Sequence, residues 1–187
     1  MGWSIYEHIF HRNDVGNFKF SESTRVQMLE ILLEAGEESM EGFDPYDNWK
    51  GEMRAGLDLA LELKDTRAAL AIITHKSFDV NKHYPTRPPV IFEAIFHENA
   101  RAVRAILLKL HNDELYHFDP ENGQPLQLAI LYNNLDVVSE FFKDRRIKDV
   151  IRNMDTSPYV YAIKLHSNYR GEDYTAMINF LREHEAV

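Results

Sequence analysis

Nine histidines, thirty carboxylates and no cysteine are the reactive side chains of this 187-residue sequence. Zinc binding asks for His-Glu-x-x-His on one helix face, and general acid–base work asks for two carboxylates held in one pocket. His8 and His11 stand one helical turn apart, which suits two metal ligands. They do not form the His-Glu-x-x-His motif, so an exposed pair is the simpler reading. The other seven, His75, His83, His97, His111, His117, His166 and His184, are scattered along the chain. Glu37, Glu38, Glu41, Asp44 and Asp47 crowd one stretch without the loop spacing of an EF-hand. There is no glycine-rich phosphate loop, nucleophile elbow or kinase-type motif set. Without cysteine, thiol nucleophiles, disulfides and cysteine-based zinc sites are excluded, and a reducing compartment is the natural setting. The expectation is therefore a chain that is not an enzyme and carries no cofactor and no metal.

Charge narrows the partners. The net charge of −9 is concentrated between Glu30 and Asp65, where 11 acidic residues face 3 basic ones. A duplex or single strand needs a basic face, so nucleic acid is not expected as a partner. An acidic segment attracts a basic protein surface, and it also serves simply to keep the chain soluble. The one basic cluster is Lys143-Asp144-Arg145-Arg146-Ile147-Lys148. It follows a helix end, where cations complement the dipole, so it reads as a solvated loop; contact with a phosphate or an acidic partner is the alternative. No apolar run approaches the roughly 18–20 residues that span a bilayer, and no basic start followed by an apolar stretch marks a leader. No membrane insertion is expected, and the compartment is expected to be cytoplasmic, or a host cytoplasm if the chain is an effector.

What positions these residues is a repeat. Ala60, Ala94, Ala129 and Ala162 stand 34, 35 and 33 residues apart. Nine residues after the first three come Ala69, Val103 and Val138, and three further on come Ile72, Ile106 and Phe141. Apolar residues at this spacing predict a second helix that follows the first after a very short turn. Helix pairs are expected over about 49–63 and 65–74, 89–97 and 100–110, 125–132 and 135–143, and 158–166 and 174–185. Pro89, Pro125 and Pro158 fall at helix starts, where a missing N–H costs little. A further pair is expected in front, over about 4–12 and 22–35.

The best copy reads Gly123-Gln124-Pro125-Leu126-Gln127-Leu128-Ala129, then Asn133-Asn134-Leu135-Asp136-Val137-Val138. This resembles the ankyrin repeat, whose pattern has Thr-Pro-Leu-His before the alanine and Gly-His-Leu-Glu-Val-Val after it. Here Gln127 replaces the histidine and Asn133-Asn134 replace Gly-His, while the copy around Ala94 keeps only its apolar frame. The resemblance runs from Gly56 to about Leu181. It implies an all-α, ankyrin-like solenoid of about five stacked helix pairs over residues 1–187. Residues 1–48 form a divergent N-terminal cap pair, and residues 49–187 form four repeats. In the last repeat a polar insertion, about Ser167 to Asp173, separates the helices.

Repeat arrays of this kind act by offering a surface to another protein. The resemblance implies a concave face carrying Phe96, His97, Leu131 and Tyr132, with loop tips adding Tyr84, Tyr116, Phe118 and Gln124. Tyrosine suits a half-wet interface, whereas Phe96 and Leu131 read equally well as contacts between repeats. The expected function is a protein–protein interaction module for a partner protein, one with a basic surface being the complement of the acidic segment. An inhibitor or immunity-type protein and an effector or adaptor are versions of it. The alternative is an enzyme with an unrecognised site in the acidic N-terminal region, around Tyr46 and Trp49.

Overall fold

The computed structural model describes residues 6, 9–11, 19–38, 46–82, 87–115, 123–168 and 172–185. Among these residues the chain is all-helical, as expected. It divides into two compact units, Met1–Val80 and Asn81–Val187.

In the first unit, α1 (Glu22–Glu38) and α2 (Tyr46–Glu62) both pack on α3 (Thr66–Thr74). Leu29, Leu33, Met53, Leu57, Leu61, Ala69, Ile72 and Ile73 fill the interior, together with Tyr6 and Ile9. Gly56 is required there, because a Cβ on it would stand 2.3 Å from the ring of Tyr6. The second unit holds α4 (Val90–Phe96), α5 (Ala100–Leu107), α6 (Asn112–Leu115), α7 (Pro125–Leu131), α8 (Leu135–Phe142), α9 (Ile147–Arg152), α10 (Pro158–Asn168) and α11 (Thr175–Glu185). Helices α4, α7 and α10 pack side by side in one layer, and α5, α8 and α11 do the same in a second. Each second-layer helix also packs against the first-layer helix that precedes it in its pair. The interior positions are those of the sequence frame, with Ala94, Val103 and Ile106 answered by Ala129, Val138 and Phe141.

The pairs are made by one turn used three times. Lys64, Glu98 and Asn133 have φ of 56°, 56° and 52°, a left-handed conformation that closes a helix. Each lies four residues after its alanine, and its N–H donates to the carbonyl of Leu61, Ile95 or Ile130 at 2.9 Å. The following residue, Asp65, Asn99 or Asn134, donates its N–H to the alanine carbonyl at 2.9, 3.0 and 3.4 Å. Its side chain then accepts from the N–H of Ala68 at 3.2 Å, Ala102 at 3.1 Å or Val137 at 3.0 Å. One residue thus ends the first helix and caps the second.

Asp65 carries a further contact. The Arg25 guanidinium, on α1, meets its carboxylate at 2.6 Å and donates from Nε at 2.8 Å, both side chains being buried. The fourth unit departs from the pattern where the insertion was expected. Helix α10 runs on to Asn168, two residues past His166, the position that would turn. The chain returns at Asp173, whose carbonyl accepts from the Asn133 amide at 3.1 Å, and the Tyr174 hydroxyl donates to the Leu131 carbonyl at 2.7 Å. The loop is therefore tied back to the preceding turn.

The three turns give a graded prediction for stability in urea. Asn99→Ala and Asn134→Ala each lose one cap, about 1 kcal/mol. Asp65→Ala also strands a buried guanidinium and is expected to cost about 3–5 kcal/mol. Equal losses at all three positions would contradict the role given to Arg25.

Candidate functional site

Helices α4 and α7 end side by side, and the aromatic residues of their last turns meet there. Phe96 is 56% exposed and Tyr132 38% exposed. Their rings stand edge to face, with centroids 5.7 Å apart at 85°. His97 meets the same phenylalanine edge-on at 5.1 Å, and its Nε2 lies 3.7 Å from the Glu93 carboxylate one turn back. Edge-to-face contacts fix the rings without burying them, so the trio is a preformed ridge. Beside it lies a groove of about 230 Å³ lined by Pro88, Phe92, Glu93, Phe96 and Leu128, in which Glu93 is the one charged group among the described residues.

The expected surface is brought together in part. Phe96, His97 and Tyr132 form the ridge, and Phe96 is not buried between repeats. Leu131 is half-buried, and its main chain is engaged by Tyr174. Gln124 sits at the start of α7, where its N–H donates to Gln127 Oε1 at 3.1 Å. Gly123 before it has φ of 72°, and a Cβ there would stand 2.8 Å from that oxygen. Tyr84, Tyr116 and Phe118 lie outside the described residues, as does His8. The side chains of Tyr46 and Trp49, which would centre the alternative enzymatic site, also lie outside them. Among the described residues no group of three or more potential ligands is placed to hold a metal. No helix of the described residues is long and apolar enough to cross a membrane.

The groove was readable but not read. Phe92 precedes Phe96 by four residues, a spacing that puts both on one helix face, and Pro88-Pro89 open that helix. Exposed Val160 and Ile163 on α10 were also missed. Ile163 occupies the register of Ile95 and Ile130, each one residue past its alanine. Those two are buried, and α10 is the last first-layer helix among the described residues.

The basic cluster is not a loop throughout. Ile147 to Arg152 form α9, with Ile147 and Val150 buried. Arg146 donates to the carbonyls of Leu107 and Leu110, each at 2.7 Å, and its Nη2 meets the Asp144 carboxylate at 2.6 Å. Hydrogen bonds from that guanidinium hold the Asp144 carboxyl below its ordinary value.

Two outcomes test these placements. Phe96→Ala is expected to change stability by less than about 0.5 kcal/mol, whereas Phe92→Ala, in the core, should cost about 3–5 kcal/mol. A carboxyl with a depressed folded-state pKa stabilises above its unfolded value and loses that contribution as pH falls through the folded one. The stability gap between wild type and Asp144→Asn should therefore be full at neutral pH and close below the ordinary aspartate value of 3.8. A gap that persists in acid would contradict the ion pair. No family model, curated protein or solved structure matches the chain, so the geometry above is what bears on its function.

Proposed function

We propose that the chain is an ankyrin-like array that binds a partner protein through the ridge of Phe96, His97 and Tyr132 and the groove beside it. The observation that carries the reading is the pair of exposed rings held edge to face on two short, well-packed helices. Large aromatic side chains displayed in a fixed arrangement are typical interface anchors, because little entropy remains to be lost on binding. The repeated turn supports the array, since it recurs at one register after three of the four alanines. Glu93 in the groove favours a partner that presents an apolar side chain next to a lysine or arginine. Inhibitor, immunity, adaptor and effector roles are all served by this mode of binding.

The test is affinity capture from the native cell extract followed by mass spectrometry, with wild type compared against a Phe96→Ala, Tyr132→Ala double variant. Losing two aromatic anchors costs at least about 2 kcal/mol, or roughly thirtyfold in affinity. A partner retained by wild type and by Val160→Ala, but lost by the double variant, supports the proposal. Retention of every partner by the double variant contradicts it.

A further inference from the structure

A second recess lies in the other helix layer, between the C-terminal end of α5 and the segment that follows α8. It has a volume of about 460 Å³ and is lined by Arg104, Leu107, Leu108, Asn112 and residues 143–146. Four cations therefore converge on one cleft in a chain whose net charge is −9. Among the described residues two carboxylates answer them. Asp144 is held by Arg146. Glu140 meets Lys143 at 2.6 Å and stands 4.0 Å from Arg104 Nε. Among the described residues the cleft keeps an excess of positive charge.

Cations near helix C-termini complement the dipole, and that accounts for Arg146. Its contacts with the Leu107 and Leu110 carbonyls and with Asn112 Oδ1 make it a fixed wall. The dipole does not account for the rest. Arg104 and Arg145 make no bond to those carbonyls among the described residues, and Arg145 is exposed with no ion pair there. Leu108, 71% exposed, adds apolar surface at the rim. We infer that this cleft binds an acidic peptide segment, whose carboxylates meet Arg104, Lys143 and Arg145 while an apolar side chain lies on Leu108. Arginine matches a carboxylate with two parallel N–H donors, and Arg146 keeps the cleft open before the ligand arrives. The site lies apart from the aromatic ridge and stands or falls separately from it.

The test is fluorescence anisotropy of the full chain with a labelled peptide of aspartate, glutamate and leucine. Saturable binding that weakens as salt rises is expected. Reversing Arg104→Glu and Arg145→Glu together should weaken it by about tenfold or more, while Phe96→Ala leaves it unchanged. A peptide of the same charge lacking leucine should bind more weakly. The double reversal changes exposed or half-exposed side chains, so an unaltered circular dichroism spectrum is expected alongside. No saturable binding, equal binding by the charge-reversed variant, or binding of inorganic phosphate without the peptide would overturn the assignment.

Discussion

Three of the helix pairs reverse direction within three residues, and so short a turn dictates what its last two residues must do. The first adopts positive φ so that the helix can close, at Lys64, Glu98 and Asn133. The second must give its N–H to the alanine carbonyl behind it and its side chain to the helix ahead. Only a short oxygen-bearing side chain does both, and the residues found are Asp65, Asn99 and Asn134. The alanines at the centre of this geometry are fully buried, where a larger side chain would push the paired helices apart. None of the three positive-φ residues is glycine, so each turn carries a conformational cost that its hydrogen bonds offset.

The same constraint places both candidate sites. Because α4 and α7 leave their alanines at the same register, their final aromatic residues arrive side by side. Because α5 and α8 start at the same register, their ends also align, and Arg104 in the last turn of α5 shares one cleft with the cations that follow α8. Neither site needs long segments to converge. Each is built from neighbouring copies of one supersecondary unit, and each copy contributes what its own sequence allows.

How much of this was legible can be argued residue by residue. The alanine spacing and the apolar residues nine and twelve positions later fixed the paired helices, because periodicity reports burial directly. That Phe96, His97 and Tyr132 share one surface is implied by the ankyrin resemblance, and the three do meet there. Arg146 was misjudged, since its role depends on carbonyls of Leu107 and Leu110, far back in the chain, which no local pattern reveals. The Arg25–Asp65 pair was hidden for the same reason, being a contact across 40 residues. Lys143 to Lys148 reads as loop because its charges mask the start of α9, whose Ile147 and Val150 are buried. Ile163 shares the register of the buried Ile95 and Ile130 yet is exposed, a difference that composition does not encode.

The account rests on the repeated turn, and amide hydrogen exchange followed by NMR tests it most directly. The N–H groups of Asp65, Asn99 and Asn134 are bonded to buried alanine carbonyls, so all three should exchange slowly, like the helix amides beside them. Exchange at any of them as fast as in an exposed loop would mean that the pair is joined differently, and the register that builds both sites would be lost.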